Sequence, residues 1–315
     1  MRCNTLQFRD ARPVLDDHLI GVLSNMGMIS FIALSAYLVL VVGEISFGQQ
    51  AFFAISAYAS GIASAMWGWP FLGALLWGAA IAGLGGLLLA IPTLRIRGLY
   101  FAIATLAFAE MVRLALEIFT YRVEMDGELV GPDGSEGFRD IRYIYEADIS
   151  SGEFLLVILA LLGATLALIL WIERTRLGAV MRMVGEDPVL ARLQGVNVNL
   201  TKIATVAAAG LIAGIGGALY AHLNTYVEPK IFNVMLGVHG LAYGLIGGLG
   251  TAFGPLLGVA LDIGVLESTR AFSGYRMIVF GGLVAVLLIV RPRGLLDEAA
   301  VYRIRRFFVR KDAGD

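Results

Sequence analysis

The chain has 315 residues, a formal net charge of −1, and 58% apolar against 16% charged residues. Soluble domains carry about 45–50% and 25%. That balance excludes an ordinary soluble domain and gives no net basic charge for holding nucleic acid, while the single cysteine, Cys3, excludes an internal disulfide. Several stretches are apolar for about 18 residues or more, enough to cross a hydrocarbon core of about 30 Å, so the chain reads as an all-α polytopic membrane protein. The 39 glycines recur within the apolar stretches. In lipid that favours close helix packing and local helix breaks.

Residues 1–18 are polar, with Arg2, Arg9, Arg12, Asp10, Asp16 and Asp17, and do not resemble a cleaved secretory signal. Apolar spans are expected at residues 19–42, 50–67, 71–91 and 99–119. FIALSAY (31–37) and FFAISAY (52–58) form a faint internal repeat. Glu44, between the first two spans, is expected at a cytoplasmic surface where its charge costs little. The WGWP turn at residues 67–70 fits an outer aromatic belt, and the 92–98 loop carries Arg95 and Arg97. Glu110, Arg113 and Glu117 fall at i, i+3 and i+7. They form either a polar strip along a pathway or an ion pair near the outer end of the helix, and the ion pair is favoured.

The 120–152 loop has eight acidic residues against three arginines, Arg122, Arg139 and Arg142, and is expected outside. After a span at 154–171 comes a polar insert, residues 173–202. Its five basic residues (Arg174, Arg176, Arg182, Arg192 and Lys202) place it in the cytoplasm. Within it Asp187 is a good helix N-cap, Pro188 suits the first helical position, and Gly195 can close the helix in a left-handed turn. A short capped helix at the membrane surface makes a rigid handle on which something outside the membrane can push.

The 203–223 span contains the small-residue pair Gly210 and Gly214, and His222, expected to be interfacial or a hydrogen-bonded structural residue like His239. The 236–266 stretch is interrupted by GGLGTAFGP (247–255), and the last span is 274–290. Seven basic residues from Arg291 onward place the tail inside. Parity then leaves the interrupted stretch crossing twice or not at all; two short crossings are favoured, nine in all with an outer N-terminus. A re-entrant hairpin there gives fewer, so about eight to nine transmembrane helices are expected, some short or broken. Residues 297–315 read as a basic helix on the inner leaflet or as a solvated tail. Gly247 and Gly248, whose freed backbone groups suit a solute route, and Asp262, deep in an apolar stretch, are candidates for the translocation pathway.

Catalytic signatures are missing. Lys202, Lys230 and Lys311 are the only lysines and none sits in GxxxxGK[ST], so ATP hydrolysis by a phosphate-binding loop is excluded. His18, His222 and His239 lack zinc-ligand spacing, and there is no GxSxG or HExxH. No cofactor or metal is expected.

Four stretches carry a resemblance: GEISFGQQAFFAISAY (43–58), LRIRGLYFAIATLAFAEMVR (94–113), RTRLGAVMRMVGEDPVLARLQGVNV (174–198) and GGLGTAFGPLLGVAL (247–261). Together, in this order, they resemble the LivM-type permeases of bacterial branched-chain amino acid ABC importers, a family that also includes permeases for urea, amides and other small polar solutes. The resemblance implies the larger, type II ABC importer fold in the bacterial inner membrane. It implies that Gly185, Glu186, Asp187, Pro188, Ala191 and Gly195 belong to the segment that couples to an ATPase subunit. It implies partners: a second related permease in a heterodimer, two cytoplasmic ABC ATPases that hydrolyse the ATP, a periplasmic substrate-binding protein, a small amino acid substrate and membrane lipid, with no nucleic acid. The SFGQ stretch is a hallmark of the family and adds Ser46 and Gln49 to the candidate pathway. The competing readings are an ABC permease for urea, amides or simple sugars and, from other classes, an ion-coupled secondary transporter with Asp262 as its titratable group or a membrane scaffold or channel indifferent to nucleotide.

Overall fold

The computed structural model describes residues 13–93, 96, 98–125, 128–139, 141, 143, 148–267, 276–291 and 294–296. Residues 1–12, Arg95, Arg97, Asp126, Asp140, Arg142, Glu146 and the basic tail lie outside the described residues.

Helices dominate, as the composition requires. In chain order they are α1 (Pro13–Val41), α2 (Gln49–Ala65), α3 (Phe71–Thr93), α4 (Leu99–Ile118), α5 (Ser151–Arg174), α6 (Arg176–Glu186), α7 (Pro188–Leu193), α8 (Val198–Asn224), α9 (Val234–Gly247), α10 (Phe253–Val259) and α11 (Arg276–Val290). A π-helical turn, Ala260–Glu267, prolongs α10. Among the described residues, five helices, α1, α3, α4, α5 and α8, are long and apolar enough to cross a membrane by themselves. With the shorter α2, α9, α10 and α11, all nine expected membrane segments are helical.

Local chemistry starts these helices. A capping box opens α5: the Ser150 hydroxyl accepts the Glu153 N–H at 3.3 Å, and the Glu153 carboxylate accepts the Ser150 N–H at 2.9 Å. Asn197 caps α8 by accepting the Leu200 N–H, and Asn233 caps α9 by accepting the Met235 N–H. By contrast α2 and α4 start without a side-chain cap, at Gly48 and Gly98.

The core forms around α8, which packs on α3, α2 and α1. Its GLIAGIGG run permits this. A Cβ at Gly210 would lie 2.7 Å from the Ala82 carbonyl oxygen, and one at Gly214 would lie 2.9 Å from the Ala79 Cα. Only glycine lets α8 and α3 touch backbone to backbone, the packing favoured where lipid offers helices no hydrophobic drive to associate. Phe31, Tyr37, Phe52, Phe154 and Ile158 fill the surrounding core.

The 236–266 stretch breaks at the expected place, and α9 and α10 fold back on each other around Gly248–Ala252. Leu295 and Leu296 donate N–H bonds to Ile246 and Gly247, and Gly250 donates one to Leu296. The break therefore lies at the same end as the start of the tail. Arg182 reaches it too, so Thr251 stands at the end that holds the polar insert.

The opposite end carries the acidic loop. It contains a short antiparallel hairpin, β1 (Val123–Met125) with β2 (Glu128–Val130), which span counting did not anticipate. Phe138 and Ile141 anchor the loop: both are fully buried against Tyr58 and Gly61 of α2. The backbone of Phe138 exchanges two hydrogen bonds with Val227, at 2.8 and 2.9 Å. Trp67, Trp69 and Trp77 cluster at this end with ring centroids 5.8–6.0 Å apart, the expected aromatic belt.

Candidate functional site

At the inner end, α6 and α7 form the handle read from the sequence. The Asp187 carboxylate accepts the Val189 and Leu190 N–H groups at 2.8 and 3.0 Å, and Pro188 takes the first helical position. Such a cap contributes about 1 kcal/mol. Gly195 closes the turn at φ 84°. The base of the handle is seated: Ala191 is fully buried with Val42, Val184 and Val198. Its tip is bare, with Leu193 80% exposed and Val189 and Leu190 about half exposed. Most of the apolar surface of this six-residue helix is thus uncovered within the chain.

Three connections run from this handle into the membrane helices. The first is backbone on backbone: a Cβ at Gly43, just past α1, would lie 2.7 Å from the Gly185 carbonyl oxygen. The second is a clamp on the broken pair. Arg182 donates to the Leu249 and Gly250 carbonyls at 3.3 and 3.2 Å, while Glu173 accepts the Ala252 N–H at 3.0 Å and the Tyr37 hydroxyl. The third lies where α8 leaves the handle. Lys202 pairs with Glu44, whose other carboxylate oxygen accepts the Gly98 N–H at 3.2 Å.

The last contact corrects the expectation for Glu44. It is not a surface residue of a loop but is 4% exposed, beneath α8 and the α3–α4 turn. A buried carboxylate requires a partner, and Lys202 supplies it.

Beyond Glu44 the chain runs without helix to Gln49. The Ser46 hydroxyl accepts the Gly48 N–H at 3.1 Å, and Thr105 on α4 accepts the Phe47 N–H at 3.0 Å. Gln49 and Gln50 then open α2, both buried.

The candidate pathway residues fall in three places. Ser46 and Gln49 lie together at the start of α2. Gly247 and Gly248 lie at the inner break, where a Cβ on Gly247 would overlap the Gly254 carbonyl and Gly248 has φ 91°. Close backbone contact accounts for glycine there. Asp262 lies apart on the π-helical turn, 1% exposed, and accepts the Tyr243 hydroxyl at 2.6 Å; that ring stacks on His239 and meets Phe280.

Other polar residues are structural. Arg113 pairs with both Glu110 and Glu117, the favoured reading. His222 bridges the Ser64 hydroxyl and the Ala218 carbonyl at 3.0 and 2.8 Å. At the outer end Arg139 lies 5.7 Å over the Tyr226 ring. There a cavity of about 570 Å³ opens between α1, α5 and α8, lined by Ser24, Asn25, Ser151, Tyr220 and Asn224 among others.

Sequence reading missed the Glu44–Lys202 pair and the Arg182–Glu173 clamp. One signal was available: Lys202 is one of only three lysines, and it stands at the insert's border.

A bundle of apolar helices with a break between α9 and α10, and a capped handle braced against that break, has the build of a membrane permease. Comparison with known proteins makes this specific. The family described as the permease component of the branched-chain amino acid transport system matches residues 18–291. The chain belongs to that family, and is a multi-pass inner-membrane permease subunit of an ABC importer. It is 28% identical over 299 residues to the high-affinity branched-chain amino acid transport system permease protein LivM of Salmonella typhimurium, covering 88% of this chain and 68% of that protein. LivM of Escherichia coli is 29% identical over the same length. LivH of Salmonella typhimurium is 28% identical over 163 residues, about half of each chain. No solved structure matches the chain. Family membership sets aside the ion-coupled reading of Asp262.

Proposed function

We propose that this subunit imports branched-chain amino acids using ATP that a partner hydrolyses. Residues 19–296 form the membrane domain, 120–152 its outer loop, 173–202 the cytoplasmic coupling segment and 297–315 a basic cytoplasmic tail. Two cytoplasmic ABC ATPases supply the energy, because this sequence has no phosphate-binding loop. A second, related permease completes the pore. The match to both LivM and LivH proteins supports that pairing. A soluble receptor delivers the solute at the outer end, where the acidic loop is folded down through Phe138 and Ile141.

The observation that carries this reading is the handle. Residues 185–195 form a rigid capped turn with an apolar tip, and Arg182 and Gly185 join it to the inner ends of α9 and α1. An ATPase that grips the tip moves those ends. Nucleotide binding supplies the differential affinity that shifts the membrane helices between outward and inward access.

Uptake of labelled leucine into vesicles that hold the assembled complex, with its receptor outside, tests the substrate class. Isoleucine and valine are expected to compete, and urea and ribose to leave uptake unchanged. Competition by urea or ribose in place of the amino acids contradicts the assignment.

A further inference from the structure

Among the described residues, four buried side-chain polar atoms find no hydrogen-bond partner, and three of them belong to two consecutive residues: Nε2 and Oε1 of Gln49, and Oε1 of Gln50. Gln49 is 0% and Gln50 1% exposed. Buried amides are normally satisfied, and those that are not call for a specific reason. A packing role does not supply one, since leucine or methionine fills the same volume without the unmet polar groups.

Their position supplies it. A Cβ on Gly48, just before them, would lie 3.5 Å from both Leu89 and Thr105, each a turn or more inside the inner ends of α3 and α4. Helix α2 therefore begins inside the bundle, and its first turn has no side-chain cap. Facing it is the first turn of α9, which belongs to the broken pair. A Cβ on Gly237 would fall within the Gln50 amide, so that amide occupies the space left by the glycine. A helix start without a side-chain cap, three unpartnered amide atoms of Gln49 and Gln50, and the first turn of a second short helix thus converge at one point. Helix starts inside a membrane carry a partial positive charge that suits the acidic end of a solute.

We propose that Gln49 and Gln50 form the intramembrane station for the polar end of the solute. The proposal rests on the amino acid reading above and deepens it. The amide N–H groups donate to the carboxylate, and the amide oxygens accept from the ammonium group. An uncharged pair that both donates and accepts fits a zwitterion without holding it too tightly to release. The station is closed here because α9 lies on Gln50. At its other end α9 runs into Leu249 and Gly250, whose carbonyls Arg182 holds. A pull on the handle that shifts α9 uncovers the amides.

Gln49→Leu in the complete complex tests this, with thermal midpoint and labelled leucine uptake read on the same preparation. The midpoint is expected to equal or exceed that of the parent, because the unmet polar groups are gone, while uptake falls at least about tenfold. Gln49→Glu, of the same shape, is expected to lose uptake as well, because its charge repels the carboxylate. Uptake of Gln49→Leu within about twofold of the parent overturns the proposal, and so does a loss of uptake that merely tracks a lowered midpoint. If the parent complex carries a different solute, the amino acid reading fails. The station then stands only if Gln49→Leu blocks that solute too.

Discussion

Replacing Lys202 with methionine is expected to destabilise the folded protein by roughly 3–5 kcal/mol, the usual result of stranding one member of a buried ion pair. Glu44 is 4% exposed and its carboxylate has two partners, the Lys202 ammonium and the Gly98 N–H. With lysine gone, one backbone N–H remains to hold a buried charge. The pair also joins three parts of the chain: the unwound run before α2, the α3–α4 turn and the start of α8. Loosening it frees all three. The effect belongs to the orphaned charge rather than to the value of the pair, so adding Glu44→Gln is expected to restore most of the loss. A neutral amide can still accept from Gly98. Thermal unfolding of the purified complex, compared among the parent, Lys202→Met and the double variant, measures both parts. An unchanged midpoint in the single variant would show that the pair does not brace the fold.

Exchanging residues 186–188 for a Gly-Ser-Gly linker is expected to abolish uptake while leaving the chain inserted at normal levels. Little of the core depends on these residues, because Glu186 and Asp187 are exposed and Pro188 is half-buried. What the exchange removes is stiffness. Asp187 no longer holds the Val189 and Leu190 N–H groups, and Pro188 no longer fixes the backbone at the first helical position. A displacement of α7 is then largely absorbed in the linker, and only the packing of Ala191 on Val184 still passes it toward Arg182 and Gly185. Vesicle uptake, normalised to the amount of inserted protein, checks this directly. Normal uptake after the exchange contradicts a coupling role for the segment.

Most of what the sequence disclosed was local. Asp187, Pro188 and Gly195 announce a capped helix because capping obeys rules that span a few residues. The Gly247–Pro255 run announces a break for the same reason. Apolar length marks the long membrane helices, although α1 begins at Pro13, ahead of the expected span. What stayed hidden depends on contacts distant in sequence. Glu44 and Lys202 lie 158 positions apart, and no local pattern says that the glutamate is buried. The Arg182 clamp likewise becomes visible only when α6 and the α9–α10 break are brought to the same end. The π-helical turn around Asp262 and the small hairpin in the acidic loop have no strong sequence mark. The SFGQ stretch entered by resemblance alone. The chemical reason to single out its Gln49 and the Gln50 that follows, buried amide atoms without partners, belongs to the folded chain.

The central claim is that energy enters this subunit from outside it, through the handle. The most direct test is labelled leucine uptake by vesicles that contain either this chain alone or the complete complex, each loaded with ATP or with a non-hydrolysable analogue. Uptake is expected only from the complete complex and only with ATP. Accumulation by the chain alone, unaffected by nucleotide, would contradict the account.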